Sequence, residues 1–218
     1  VKKYHKIKTL FERETTGTKK LIPGRYAHEL FEYLKDNIWI YTEKVDGTNI
    51  RICWDGNRIS FLGKTESSQL PKNLLDKLNN MFSNEETEQL FEQIFGDKEA
   101  IIFGEGYGSK IQKNGHLYSE HAEFIVFDIS IDGTYLERLN VEDICTSLNL
   151  ECVPVVLIGT LQDGVDYVTT KETPKSVVGK ENLSMEGIVG VPAKRIYDVC
   201  GERVIVKIKV RDFKECGR

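Results

Sequence analysis

Hydrophobic and polar positions along the chain change period several times, and each change marks an element. In WIYTEKVDGTNIRICWDGNRISFLGK (39–64) apolar residues alternate with polar ones in short runs, the period of half-buried strands. Three strands are predicted there. The second and third are joined at Asp55-Gly56, a strong hairpin signal. AIIFGEGYG (100–108) predicts a buried strand ending in glycines, and EFIVFDISIDGTYLERL (123–139) a strand, a turn at Asp132-Gly133 and a partner strand. MEGIVGV (185–191) and ERVIVKIKVRDF (202–213) predict two late strands. Apolar residues fall at helical spacing in AHELFEYLKD (27–36) and in LPKNLLDKLNNMF (70–82), where Pro71 is tolerated in a first turn. Ser83 followed by Glu86 reads as a capping box opening EETEQLFEQIF, and Asn140 as the N-cap of VEDICTSLNL.

Strands dominate and their order is irregular, which predicts an α+β fold with mainly antiparallel sheets and peripheral helices. GxGxxG after a strand and GxxxxGK[ST] are both absent, so Rossmann and P-loop folds are excluded. No repeat or low-complexity linker interrupts the 218 residues, and a single domain over 1–218 is expected.

Composition narrows the chemistry. Hydrophobic residues make up 40% and charged residues 29%, ordinary for a globular protein. No apolar run approaches a membrane span, and the opening VKKYHKIKTLFER is charged throughout, unlike a signal peptide. A cytoplasmic protein with no membrane partner is expected. The five cysteines (Cys53, Cys145, Cys152, Cys200, Cys216) form no C-x-x-C pair and are odd in number, so reduced thiols fit better than a zinc site or a disulfide framework. The histidines show no metal-ligand spacing. Chemistry is left to lysines and carboxylates.

The net charge of −4 argues against global affinity for nucleic acid. Lys2, Lys3, Lys6 and Lys8 crowd one terminus. Lys207, Lys209, Arg211, Lys214 and Arg218 crowd the other. Each cluster reads as a solvated face or as a local binding surface.

Five short stretches carry candidate chemistry, and each has a bland alternative. In EKVDGTNIR (43–51), Lys44 is a strand-end lysine beside a turn, or a nucleophile in a pocket. In FGEGYG (103–108), Glu105 is an exposed turn acid, or a carboxylate whose flanking glycines let a ligand approach. FIVFDI (124–129) reads as core strand, with Phe124 and Phe127 on opposite faces. In EGIVG (186–190), Glu186 leads a short apolar strand. In VIVKIKV (204–210), Val204, Val206, Ile208 and Val210 share one face, while Lys207 and Lys209 share the other with Ile205 and Arg211. That lysine pair is a cationic surface, or the protection of an exposed edge strand.

Taken in order, these stretches resemble nucleotidyltransferase motifs I, III, IIIa, IV and V of the ATP-dependent ligases and mRNA capping enzymes, over residues 43 to 210. In DNA ligases and capping enzymes, motif I carries arginine five places after the lysine. Here that place is Asn49. Gly-Thr-Asn, Glu43 before the lysine and the lead-in KKYHKIKTLFER are similar to RNA ligases of the RNA ligase 2 type.

The resemblance implies a nucleotidyltransferase fold and an RNA ligase working in three steps. Lys44 attacks the α-phosphate of ATP and expels pyrophosphate. AMP then passes to an RNA 5′-phosphate, and a 3′-OH attacks that end. Neighbouring cations would disfavour the ammonium form of Lys44, whose free pKa is ~10.4, and would stabilise charge at phosphorus. By the same resemblance, Lys207 and Lys209 contact the α-phosphate, Glu105 binds ribose hydroxyls and Glu186 orients waters on Mg2+ or Mn2+. Glu43 reads the adenine amino group, and Phe127 stacks on adenine, with Phe124 as the alternative. Asn49 supports the RNA end and the metal site, and Lys64 in FLGKT contacts phosphate. Asp46 stands where some members carry histidine. Nine residues follow Lys209, so a single adenylyltransferase domain is expected, without a C-terminal OB-fold or helical module, which a protein partner could supply. The alternatives are a small DNA ligase, a GTP-using capping enzyme, or a non-catalytic RNA-binding module.

Overall fold

The computed structural model describes residues 3–214; Lys2, Cys216 and Arg218 lie outside them. In chain order the strands are β1 (Lys8–Thr9), β2 (Phe11–Arg13), β3 (Leu21–Tyr26), β4 (Trp39–Glu43), β5 (Thr48–Trp54), β6 (Ile59–Leu62), β7 (Ala100–Gly108), β8 (Ala122–Ile131), β9 (Thr134–Tyr135), β10 (Val155–Gly159), β11 (Gly187–Pro192) and β12 (Val206–Lys209). The helices are α1 (Glu29–Tyr33), α2 (Lys72–Phe82), α3 (Glu85–Phe95), α4 (Arg138–Ser147), α5 (Leu161–Thr169) and α6 (Val210–Lys214). This is the expected mix of mainly antiparallel sheets and few helices.

The chain divides into two compact units. The first takes Asp46–Val153 together with the described residues before Lys6. The second takes Lys6–Val45 and the described residues from Pro154 onward. Both are discontinuous and the chain crosses between them without a linker, which is why the sequence reads as one domain.

The first unit holds an antiparallel sheet of order β6-β5-β7-β8-β9. Ile50, Ile52 and Trp54 of β5, Ile102 of β7 and Phe124, Val126 and Ile129 of β8 meet Leu74, Leu78 and Phe82 of α2 and Phe91 of α3 in one core. The two predicted turns form by local chemistry. Asp55 Oδ1 accepts from the backbone N–H of Asn57 (3.0 Å) and Arg58 (2.9 Å). Asp132 (φ 48°) and Gly133 (φ 75°) both take positive φ, as a tight two-residue hairpin loop requires.

The second unit holds a five-stranded sheet of order β1-β12-β11-β4-β10 and the β2-β3 pair. Its core joins Trp39 and Tyr41 of β4, Ile188 of β11 and Val206 and Ile208 of β12 to Phe31 of α1 and Leu161 and Val168 of α5. β1 runs parallel to β12, with Thr9 beside Lys207.

Several expected boundaries move. α3 is capped by Asn84, whose side chain accepts from Thr87 N–H (2.9 Å), and not by Ser83. α4 starts at Arg138 after Glu137, so Asn140 lies inside the helix. The last strand ends at Lys209, where α6 begins, so Arg211 is helical. α1 is shorter than the periodicity predicts. Among the described residues, Cys53, Cys145, Cys152 and Cys200 are free thiols, as expected. None of the described helices is long and apolar enough to cross a membrane.

Candidate active site

The second unit gathers most of the predicted charged residues on three adjoining strands. β11 pairs antiparallel with both β4 and β12. Lys44 follows the last residue of β4, and its backbone N–H donates to the Gly187 carbonyl (2.9 Å). Gly187 in turn lies directly opposite Lys209. A Cβ on Gly187 would come within 2.3 Å of the Ile208 carbonyl oxygen and 2.8 Å of the Lys209 Cα. Only glycine lets the backbones approach this closely.

Glu186 sits at the head of β11 and ties the group together. Its Oε2 accepts from Lys44 Nζ (2.7 Å) and its Oε1 from Lys209 Nζ (2.5 Å). All three side chains are mostly buried, at 23%, 16% and 15% exposure for Lys44, Glu186 and Lys209. Burial pushes the Glu186 carboxyl up, but the Lys44 charge and the hydrogen bonds from both lysines outweigh it, and the pKa is held below its usual value. Lys44 follows the end of β4, as both readings of it require, and is mostly buried against Glu186.

Lys207 alternates with Val206 and Ile208 as the sequence predicts: both apolar residues are buried in the core, while Lys207 and Lys209 lie on the other face and are only partly buried. Burial and then the charges of Lys209, Lys44, Lys6 and Arg13 push its ammonium pKa down. β12 has a neighbour on each side, so edge protection does not explain the lysine pair. The pairing of β1 with β12 also brings Lys6 and Lys8 near Lys207. Arg13 is held there by Asp212 (2.6 Å).

Glu43, the last residue of β4, is buried. Its carboxylate is 2% exposed and accepts from Ser176 Oγ, Val177 N–H (2.8 Å) and Val178 N–H (3.3 Å). Nothing local to Glu43 signals this loop, which lies more than 130 residues away.

In the first unit, the sheet face turned away from its α2–α3 core carries the remaining predicted residues. Asn49 and Glu105 are directly paired across β5 and β7, and Glu105 pairs onward with Ile125. A bulge in β8 pairs Val126 with Gly104 and Asp128 with Phe103, leaving Phe127 between them. Phe124 lies in the core, 4% exposed, edge-on to Phe82 at 6.2 Å. Phe127 is on the other face, edge-on to Tyr4 at 5.0 Å. The opposite-face expectation holds: Phe124 is buried in the core, and Phe127 is partly buried on the other face. Tyr4 also donates to Asp128 Oδ2 (2.8 Å). The turn after Lys44 is fastened: Asp46 N–H donates to Tyr118 Oη (3.3 Å) and Gln112 Nε2 to the Gly47 carbonyl (2.7 Å). Lys64 is exposed in the loop after β6.

Among the described residues no three histidine, cysteine or carboxylate side chains cluster as direct metal ligands. Glu186 fits a different role. With each oxygen already accepting from a lysine, its remaining lone pairs suit the waters of a metal held by phosphates.

A family model for RNA ligase matches residues 37–209. No curated protein sequence matches the chain significantly. Solved structures of Naegleria gruberi RNA ligase share the fold. An apo mutant superposes with TM-score 0.67 at 17% identity, over 100% of this chain and 58% of that one. A mutant with ATP and Mn gives 0.64 at 18%, over 98% and 62%. A mutant with AMP and Mn gives 0.63 at 18%, over 97% and 61%. The chain thus spans about three fifths of the length of these relatives.

Proposed function

Because the chain belongs to the RNA ligase family, we propose that it is an ATP-dependent RNA ligase in which Lys44 carries AMP from ATP to an RNA 5′-phosphate. The observation that carries this reading is the Lys44–Glu186–Lys209 network with Lys207 on the same strand as Lys209. A buried carboxylate between two lysines, beside a third whose ammonium is already disfavoured, is a site built to exchange one anion for another. A phosphate bearing negative charge is the natural incoming partner.

In the first step Lys44 Nζ loses a proton and attacks the α-phosphorus of ATP. An N–P bond forms, and the bond to the pyrophosphate oxygen breaks. The ammonium form of Lys44 has no lone pair to offer, so its proton must leave to solvent before the attack; the neutral amine that remains can still donate an N–H to Glu186. Lys209 and Lys207 then hold the α-phosphate oxygens and stabilise the charge that builds at phosphorus. In the second step an RNA 5′-phosphate oxygen attacks the same phosphorus and the N–P bond breaks, returning Lys44. In the third a 3′-OH attacks the activated 5′-phosphate, and AMP leaves. A divalent cation, Mg2+ or Mn2+, would neutralise the phosphates when bound, and Glu186 would order its waters. The structures of the Naegleria ligase with ATP and Mn support the nucleotide and the metal.

The other roles are part of the same proposal. Glu105 binds the ribose hydroxyls, Phe127 stacks on adenine, Asn49 supports the RNA end, and Lys64 contacts phosphate. Glu43 reads the adenine amino group. A carboxylate has about four acceptor sites, and three are filled by Ser176, Val177 and Val178, so one is left for that contact. Asn49 in place of the arginine of DNA ligases and capping enzymes supports RNA as substrate.

The test is incubation with ATP labelled at the α-phosphate, then a chase with 5′-phosphorylated RNA. Acid-labile label should appear on the protein, move to the RNA and be absent in Lys44→Ala. Failure to label the wild-type protein with either metal refutes the proposal.

A further inference from the structure

The segment that grips Glu43 is closed at its base and bridges two functional positions. Met185 N–H donates to the Pro174 carbonyl (2.9 Å) and Ser176 N–H to the Leu183 carbonyl (2.8 Å). Lys175 and Ser184 pair as an isolated bridge. The far end of this loop runs through Met185 directly into Glu186. Its near end holds Glu43, the residue before Lys44. One short loop therefore braces both partners of the Lys44–Glu186 contact from behind.

The hydrogen bonds fix more than position. The Gly179 N–H donates to Ser176 Oγ (2.8 Å). That occupies a lone pair of the hydroxyl and directs its proton to Glu43 Oε1, to which it donates. The backbone N–H groups of Val177 and Val178 both donate to the other oxygen, Oε2. A carboxylate oxygen has two lone pairs. Oε2 is therefore filled and Oε1 is half filled. The site's one remaining acceptor is on Oε1, and its direction is set by the bond from Ser176. Ser176 is itself buried, at 8% exposure. Gly179 packs closely on the hydroxyl: a Cβ there would come within 3.1 Å of Ser176 Oγ and would displace the end of the Leu183 side chain.

We propose that Ser176 is a purine-specificity residue: by fixing Glu43 it aims one carboxylate lone pair so that the site accepts the amino group of adenine and repels the carbonyl of guanine. This rests on the ligase reading and on Glu43 as the base-reading group. Ser176 touches neither nucleotide nor reacting atoms, so it is a positioning residue. Without its hydroxyl, Glu43 keeps the two amide bonds on Oε2 but Oε1 can rotate, and the discrimination between an amino group and a carbonyl falls.

The experiment compares ATP with GTP in forming the covalent nucleotide adduct, measured on the full chain by initial rates across nucleotide concentration. In the wild type, ATP should be strongly preferred. Ser176→Ala should lower the ATP-over-GTP ratio of kcat/KM about 10- to 100-fold, the value of one hydrogen bond to a charged group, chiefly by raising KM for ATP. Ser176→Thr, which keeps the hydroxyl, should restore the ratio. A triphosphate of purine riboside, which has no amino group, should lose affinity against ATP in the wild type and little in Ser176→Ala. If Ser176→Ala does not fold, Ser176→Cys, of similar shape with a weak donor, replaces it in the same comparison. A serine that only anchors the loop would depress both nucleotides in parallel and leave the ratio unchanged, which overturns the inference while the ligase reading stands. No adduct from either nucleotide in the wild type overturns both.

Discussion

Replacing Glu186 with glutamine removes one negative charge and almost no volume, so its effect isolates the charge that holds two lysines. The carboxylate takes a 2.7 Å contact from Lys44 and a 2.5 Å contact from Lys209, with all three side chains less than a quarter exposed. A hydrogen bond to a charged group contributes ~1.5–3 kcal/mol, and removing one partner of a fully buried pair costs ~3–5 kcal/mol. An exposed pair contributes ~0–1 kcal/mol. The partial exposure here places Glu186→Gln near a loss of ~2 kcal/mol. At ~2–4 °C per kcal/mol for a protein of this size, Tm should fall by ~4–8 °C at pH 7. The pH dependence has a definite sign. The folded carboxyl titrates below its ordinary value, so its contribution is full above the unfolded pKa and is lost as pH falls through the folded one. The wild-type advantage over Glu186→Gln should therefore persist at pH 6–8 and shrink as pH is lowered beneath about 4.3, the unperturbed value of a glutamate. Thermal unfolding of both proteins across that range measures it. Equal stability at pH 7, or a difference that does not change in acid, refutes the claim that this charge organises the cluster.

Three other substitutions separate function from stability. Lys207→Met should abolish adduct formation yet raise Tm at pH 7 by ~1–3 °C, because it removes a charge disfavoured by burial and by Lys209 and Lys44; the gain should disappear as pH approaches the lysine range, where the wild-type ammonium is lost. Phe124→Ala should cost ~3–5 kcal/mol in denaturant unfolding, as a buried core ring does, while Phe127→Ala should cost ~1–2 kcal/mol and weaken ATP binding in a direct titration. Gly187→Ala should destabilise by ~1–3 kcal/mol, read by the same unfolding assay, since its Cβ would overlap the Ile208 carbonyl.

Much of this was legible in the sequence because strand periodicity and turn chemistry are local. Asp55-Gly56 and Asp132-Gly133 place their turns by backbone preference alone, and the alternation in VKIK separates Lys207 and Lys209 from Val206 and Ile208 without any tertiary information. What was missed depends on partners distant in sequence. α5 escapes notice because Gly164 sits in its middle, and that glycine is there for a close approach: a Cβ would lie 2.8 Å from the Tyr41 ring. The β2-β3 pair is short, with Pro23 and Gly24 inside β3, which reads as loop. Ser83 and Glu86 satisfied a capping pattern, but Asn84 is the residue whose side chain reaches the first turn. The hydrogen bond from Ser176 could not be read locally, since its partner Glu43 lies at the end of β4, more than 130 residues away. The family's motif order identified Lys44, Glu186 and Lys209 as a group. Their hydrogen bonds required the pairing of β11 with both of its neighbours.

The proposed ligase chemistry rests on Lys44 as the AMP acceptor. The most direct measurement is the intact mass of the protein after exposure to ATP with Mg2+ or Mn2+, followed by peptide mapping of the adduct. One AMP should be added per chain, on Lys44, and none in Lys44→Ala. An unchanged mass in the wild type, or an adduct that maps to another residue or survives in Lys44→Ala, would contradict it.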